Sequence, residues 1–508
     1  MLETATERGR SAVGCSRPIE PIEANFEDAN TFYNSFSRYS IGDNRFNEYR
    51  PTGAYITGQG GVPMGWDGKD TVYIDASDTH TLVMGSTGSK KSRMVAIPTV
   101  RMLGQAGESM VISDPKAEIY DRTSYGLDEL GYDISVLNFR NPARSDAWNP
   151  LAIPYAFYCE GNIDLACAFV NDIATNLMLT EISMQDPFWD YCACDLFFGL
   201  TILLFKYCKD HKKSFESVNI SNLLRLRRAM FWKHTTSYEI EKTDFWRYAR
   251  KDDIIAASLI GTVGAPDRTQ SSILSTFDYK MRIFVIQPDL LSLLDSNTIS
   301  FDDIDEKKRA LYLVIPDEKT SYHKLVALFV KQSYEYMIFK KQAYPERSSR
   351  VRVNYVLDEF SSLPTIKDFP TMITAARSRN IRFDLIVQSK HQLLQRYPRD
   401  TETIQSNCGN MLFLTSRELP LLEEVSSLCG MSSFEDKKPL VSVTQLQHFD
   451  KTSGEALAIC GRLKPFITHL PDADVYDRGE YEVLPYPERV ESDAEVIRGF
   501  ELAPEFDI

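Results

Sequence analysis

The stretch His80-Thr-Leu-Val-Met-Gly-Ser-Thr-Gly-Ser-Lys-Lys-Ser-Arg93 constrains this chain more than any other. A short apolar strand turns through glycines into a Lys-Ser pair that opens a helical pattern. That order is the phosphate-cradling loop of nucleoside triphosphatases, written G-x-x-x-x-G-K-[ST]. Here it reads Gly85-Ser-Thr-Gly88-Ser-Lys90-Lys91-Ser92, so Lys90 stands where the last glycine is expected. Backbone N–H groups from Ser86 to Ser92, with the helix N-terminus behind them, would point at a phosphate. The candidate nucleotide-binding residues are therefore Gly85, Ser86, Thr87, Gly88, Ser89, Lys90, Lys91 and Ser92. Lys91 would reach the β- and γ-oxygens, and the Ser92 hydroxyl would sit on Mg2+. Glycine at position 90 would allow an unusual φ at no steric cost. A lysine in that conformation implies strain of about 1–3 kcal/mol, which folding or ligand contacts must absorb. The alternative for this stretch alone is a plain Ser/Gly turn between strand and helix.

A second half-site lies far downstream. Val353-Asn-Tyr-Val-Leu-Asp-Glu359 is an apolar strand ending in two adjacent carboxylates. In phosphate-loop enzymes the first, here Asp358, holds Mg2+ directly or through water. The second, Glu359, would polarise the attacking water as general base. Arg377-Ser-Arg379 follows on a helical stretch, and its guanidinium groups would neutralise transition-state charge from a neighbouring subunit, unless they are a solvated helix face. Gln388 ends the strand Phe383–Val387, where its amide would sense a γ-phosphate or orient water, unless it is a plain strand-end amide. Asp114-Pro-Lys116 ends another strand and reads first as a turn, second as part of the same cleft. The seven histidines are dispersed, so no Ser-His-Asp arrangement or metal cluster competes.

Between these motifs, apolar runs recur at Ser109–Ser113, Ile134–Asn138, Ala310–Ile315, Val353–Leu357, Phe383–Val387, Asn410–Leu414 and Ala456–Cys460. Nearly continuous apolar runs of this length fit strands covered on both faces. With helices between them they predict a doubly wound, mostly parallel α/β sheet, whose ligands lie beyond the carboxyl ends of the strands. Residues 155–285 carry helical periodicity instead and read as an inserted all-α domain. The remaining divisions are a flexible arm at 1–50, the nucleotide-binding domain in two parts at 51–154 and 286–484, and an acidic tail at 485–508. A small hairpin is expected between Tyr55 and Ile74, and the tail reads as disordered or as a peptide that docks on a partner.

The net charge of −14 excludes a generally basic nucleic-acid coat, though not a local basic channel. Nine cysteines without C-x-x-C spacing indicate reduced thiols and no disulfide framework. The apolar run Cys192–Cys208 is interrupted by Asp195 and Lys206 and reads as a buried helix. The N-terminus lacks the apolar core of a signal peptide. Together these features place the chain in the cytoplasm.

Ser113-Asp-Pro-Lys-Ala-Glu-Ile-Tyr120, Val136-Leu-Asn138 with Trp148-Asn-Pro-Leu151, and Leu357-Asp-Glu-Phe-Ser-Ser-Leu-Pro364 resemble the coupling ATPases of conjugative type IV secretion. Ala376-Arg-Ser-Arg-Asn-Ile-Arg-Phe383, Ile386-Val-Gln-Ser389 and Ser406-Asn-Cys-Gly409 continue the resemblance, which spans about 80 to 470. It implies a hexameric RecA-like P-loop motor, using ATP and Mg2+, that recruits relaxase-bound single-stranded DNA and drives it to the secretion channel. By position, Lys91 and Ser92 correspond to the phosphate-loop pair, Asp358 and Glu359 to the strand-end acids, Arg377 to the trans-acting arginine and Gln388 to the glutamine sensor. The helical insert corresponds to the part that meets the relaxosome. Members of that family usually carry an N-terminal pair of membrane helices, and none is read here, so the resemblance implies either a soluble branch docked on a membrane partner at the inner face of the membrane or a membrane part supplied by another chain. Two alternatives are a double-stranded DNA translocase of the same fold and a catalytically weak adaptor that docks relaxase or effector protein.

Overall fold

Aromatic side chains near the start of the chain build a first, small sheet. The computed structural model describes residues 23–42, 45–46, 60–179, 187–231, 237–316, 318, 322–343, 351–433, 435, 437–488, 494–497 and 500. Within the span read as a flexible arm, Ala29–Asn34 is a helix whose N-cap Asp28 accepts from Thr31 N at 2.9 Å. Phe32 is buried and stacks on Phe466 at 4.2 Å, and Tyr33 stacks on Tyr73 at 4.2 Å. These anchors are too few to give a sequence period, yet each buries a large area. Strands β1 (Ser37–Ser40), β2 (Arg45–Phe46), β3 (Val62–Trp66) and β4 (Thr71–Asp75) then pair antiparallel in the order β2-β1-β4-β3. The hairpin expected before Ile74 is β3–β4. Asp67 sets its turn by accepting from Lys69 N and Thr71 N. Tyr55–Gln59, the start of that expected hairpin, lie outside the described residues.

The apolar runs form the second sheet. Its strands are β5 (Thr81–Met84), β6 (Ser109–Asp114), β7 (Asp133–Asn138), β8 (Arg309–Val314), β9 (Val353–Leu357), β10 (Ile381–Val387) and β11 (Asn410–Phe413). A two-stranded ribbon follows, β12 (Met431–Ser433) with β13 (Lys438–Pro439). Then β14 (Glu455–Cys460) and β15 (Phe466–His469) complete the nine-stranded order β15-β14-β11-β5-β10-β9-β6-β8-β7. All pairings from β11 to β7 are parallel, and β14 and β15 close one edge antiparallel. Every residue of β5, β6, β8, β9 and β10 is buried, as a sheet with helices on both faces requires.

From Ala152 to Asp295 the described elements are helices. Phe188–Asp210 runs through the middle of this group. By length and composition it is apolar enough to cross a membrane, and in this structure it is packed between Ile163–Met178, Asp253–Val263 and Asp267–Ile286. Gly199 makes one crossing possible, because a Cβ there would stand 2.6 Å from Leu259 Cδ2. The helical run leaves the sheet after β7 and returns at β8, its hydrogen-bonded neighbour, so 309 still pairs with 133 in register. It is one long crossover between adjacent parallel strands.

Trp148 marks the exit point. Its ring is buried against Phe329 at 5.1 Å and its indole N–H donates to Gln332 Oε1 at 3.1 Å. The described part of the acidic tail is held rather than free. Tyr486 stacks on Tyr120 at 4.6 Å, Glu495 accepts from Ser214 Oγ at 2.6 Å and Ser217 Oγ at 2.9 Å, and Ile497 is buried among the helices. Apolar residues spaced along an otherwise acidic stretch supply that anchorage.

Replacing Trp148 by Ala removes the ring and leaves the Gln332 carbonyl unpaired. The expected cost is about 3–5 kcal/mol, seen as a lowered calorimetric midpoint. An unchanged midpoint would show that the junction does not depend on this ring.

Candidate phosphate-binding site

Four neighbouring strands deliver the site residues to one edge. In the order β5-β10-β9-β6, the residues just past or at the carboxyl ends are Gly85, Gln388, Asp358 and Asp114. This is the edge at which parallel α/β sheets bind ligands.

The loop after β5 is built around Gly85 and two left-handed residues. A Cβ on Gly85 would stand 2.6 Å from Ser89 Oγ and 3.3 Å from Leu414 Cβ, so a larger residue would force Ser89 and Leu414 to shift. Gly88 has φ +77° and Lys90 has φ 66°. Lys90 therefore adopts the conformation that the pattern's glycine would supply, at a cost of about 1–3 kcal/mol. Its ammonium does not lie on the loop: it meets Asp472 Oδ2 at 3.0 Å. The helix behind opens as a wide turn over Ser92–Ala96, in which Ile97 N donates to Ser92 O. That i→i+5 spacing also makes room for Pro98, which would clash in a continuous α-helix.

Lys91 is buried, and its ammonium donates to Gly85 O at 2.7 Å and Ser86 O at 3.3 Å. Burial lowers its pKa, against the pull of Glu359 and Asp358. Across the cleft the Ser92 hydroxyl donates to Asp358 Oδ2 at 2.6 Å. Asp358 is buried, and desolvation pushes its pKa up to about 6 despite the Ser92 hydrogen bond. Glu359 has φ 53°, a second strained backbone at the same edge. Its carboxylate accepts from Gln388 Nε2 at 2.5 Å, and Gln388 Oε1 accepts from Thr87 Oγ1 at 2.9 Å. Loop, strand-end amide and second carboxylate thus form one chain of hydrogen bonds.

Asp114 takes the turn role and lies beside the site as well. Its carboxylate accepts from Tyr120 N at 2.8 Å and Lys116 N at 3.3 Å, while burial, and to a smaller degree Asp358, pushes its pKa up to about 7. Thr87, Pro115, Lys116, His323, Asp358 and Gln388 are among the residues lining a cavity of ≈ 240 Å³. Sequence reasoning does not find His323 as a cleft residue, because a lone histidine carries no spacing signal. Asp472 escapes it for another reason, lying beyond every motif. Buried His80 is structural: Nδ1 accepts from Phe383 N at 3.0 Å, Nε2 meets Ile373 O at 2.9 Å, and burial lowers its pKa to about 4.

Arg377 is not brought to this edge. It precedes β10, whereas Gln388 follows it, so the length of a seven-residue strand separates them, roughly 20 Å. Its exposed guanidinium pairs with Asp78 at 2.9 Å. The Ser406–Gly409 motif precedes β11 at the same far edge.

Chemically, the near edge combines an ammonium, a hydroxyl, two carboxylates and an amide: Asp358, Glu359 and Gln388 line the cavity, and Lys91 and Ser92 lie on the loop beside it. Oxygen donors of the Ser92–Asp358 kind suit a hard divalent cation. A buried ammonium above left-handed loop residues suits an oxyanion. Among the described residues no His/Cys/Asp/Glu group has the geometry of a dedicated metal site.

The same architecture occurs in solved structures. The plasmid coupling protein TrwB in complex with ADP and Mg2+ superposes with TM-score 0.58 at 15% identity, over 92% of this chain and 96% of that one. TrwB with a non-hydrolysable ATP analogue gives TM-score 0.57 at 14% identity, over 93% and 96%. TrwB lacking its first seventy residues, in complex with sulphate, gives 0.54 at 17% identity, over 81% and 86%. No curated protein matches the chain. The profile of the type IV secretory system conjugative DNA transfer family matches residues 42–456, and the chain belongs to that family.

Proposed function

We propose that this chain is the ATP-driven coupling motor of a conjugative type IV secretion system, with ATP and Mg2+ bound between Gly85–Ser92 and Asp358–Glu359. One observation carries the reading. The Ser92 hydroxyl and the Asp358 carboxylate, the two oxygen donors that a nucleotide-bound magnesium ion needs, lie 2.6 Å apart. The buried carboxyl of Asp358 and the buried ammonium of Lys91 are each short of an opposite charge, and an Mg2+–phosphate pair would supply both. The TrwB structures, in complex with ADP and Mg2+ and with an ATP analogue, support the choice of ligand.

When bound, Mg2+ supplies charge neutralisation at the phosphate oxygens. Ser92 and Asp358 would hold it, and Lys91 would bind the β- and γ-oxygens. Glu359 would take a proton from the attacking water, with Gln388 fixing its carboxylate. Because Thr87 binds Gln388 in turn, a shift of the loop would reach the base directly. Arg377 cannot reach this site within its own chain. It would serve the site of a neighbouring subunit in a ring, and a homo-hexamer is the assembly we assign. The helical run 155–285 is the unit we assign to relaxase contact, and the DNA carried is single-stranded. The motor would work in the cytoplasm at the inner face of the membrane, beside the channel components of the secretion system.

The purified chain is expected to show ATPase activity stimulated more by single-stranded than by duplex DNA. Lys91→Ala should abolish nucleotide binding. Glu359→Gln should keep ATP binding while turnover falls by about a hundredfold or more, the scale of a lost general base. Equal turnover in the Glu359 variant removes that residue from the mechanism, and a parent chain that binds no ATP leaves the adaptor reading in its place.

Arg377→Ala and Glu359→Gln should each be inactive alone, yet mixed one to one they should regain about a quarter of parental activity, since each site in a ring draws on two copies. No recovery on mixing would refute the trans role.

A further inference from the structure

Lys90 keeps a left-handed backbone with a long cationic side chain, and its partner comes from the far end of the chain. Asp472 follows β15 and caps the short helix Ala473–Asp477, accepting from Asp474 N at 3.3 Å. Its carboxylate accepts from Lys90 Nζ at 3.0 Å and from Arg93 Nε at 3.0 and 3.2 Å, and it also meets Arg93 Nη2. Residues 90 and 93 flank Lys91 and Ser92. One carboxylate therefore grips the loop on both sides of the pair that faces the cleft.

The grip is itself anchored. Asp474 meets Arg93 at 2.5 Å and Arg122 at 2.8 Å, and Asp477 meets Arg101 at 3.2 Å. These arginines lie on the helix behind the loop and on the helix after β6, so the acidic turn is bound to both. Burial alone would raise the Asp472 pKa, but hydrogen bonds from Arg93 and Lys90 hold it at about 2, so the carboxylate stays charged throughout the working range. Such partly buried, multiply bonded pairs are stronger than isolated surface pairs.

We propose that Asp472 is a positioning residue of the phosphate loop, holding the Lys90 ammonium outward and keeping the loop in the turn that glycine would otherwise provide. The inference rests on the nucleotide reading above and deepens it: the departure at position 90 is compensated by an acid supplied from the end of the sheet. The loop of this chain thereby depends on residues some 380 positions away.

The test uses the full chain with Asp472→Asn, which keeps the helix cap but removes the charge. Two readouts are taken: amide hydrogen exchange over residues 88–92 without nucleotide, and affinity for ADP. Both should worsen by about tenfold, the scale of coupling between contacting groups. In a Lys90→Gly background the same substitution should change each by less than about threefold, because glycine holds the turn unaided. Asp474→Asn, which touches Arg93 but not Lys90, should leave both readouts within about twofold. Equal losses in the parent and Lys90→Gly backgrounds would overturn the proposal and leave Asp472 as an anchor for Arg93 alone. No loss in either background would overturn it outright. If the parent binds no ADP, the exchange readout still decides the role of Asp472, and the nucleotide reading falls instead.

Discussion

The hydrogen bond from Ser92 to Asp358 joins residues 266 positions apart, and the rest of the site depends on it. It forms because β5 and β9 both flank β10 in a parallel sheet, so their carboxyl ends emerge on the same edge. A parallel arrangement tolerates long crossovers, and this one leaves and rejoins the sheet at β7 and β8, the two edge strands beside β6, so it does not come between β5, β10 and β9. The strands that carry the loop and the acids are left in contact. The helical group could be large without disturbing the cleft.

The two edges of the sheet handle buried charge differently. At the amino edge Glu108 is fully buried, with Asn354 Nδ2 at 3.0 Å, Arg352 at 3.4 Å and Arg382 at 3.7 Å around it. Opposite charges there meet one another, while burial still lowers the Arg352 pKa and raises that of Asp384 to about 6. At the carboxyl edge Asp114 and Asp358 have their pKa values raised, Lys91 has its own lowered, and Lys90 and Glu359 hold strained backbones. Undercompensated charge and strain gathered in one cleft are the physical marks of a binding site. The fold as a whole offsets the cost of that edge by packing its strands on both faces.

Much of this is legible in the sequence. Apolar runs locate β6 to β11 and β14 because continuous burial writes itself directly into composition, and the loop is readable from the order of Gly85, Gly88, Lys91 and Ser92. Of the early sheet only the β3–β4 hairpin is legible; the helix Ala29–Asn34 and strands β1 and β2 are not, since Phe32 and Tyr33 act through three-dimensional stacking and leave no local period. The anchored tail escapes for the same reason: Ile497 and Phe500 are isolated apolar residues in an acidic stretch, and their partners lie in the helical group.

Which residue types this protein can bring to a phosphate is written locally along the chain, because backbone turns and hydroxyl, ammonium and carboxylate chemistry are local properties. So is the α/β class, through the alternation of buried runs with helical periods. Which of those residues meet is settled by the folded arrangement. It joined Gln388 to both Thr87 and Glu359, sent Arg377 to the far edge, and turned Lys90 toward Asp472. Strand order and side-chain direction are consequences of packing the whole chain, and no single stretch encodes them.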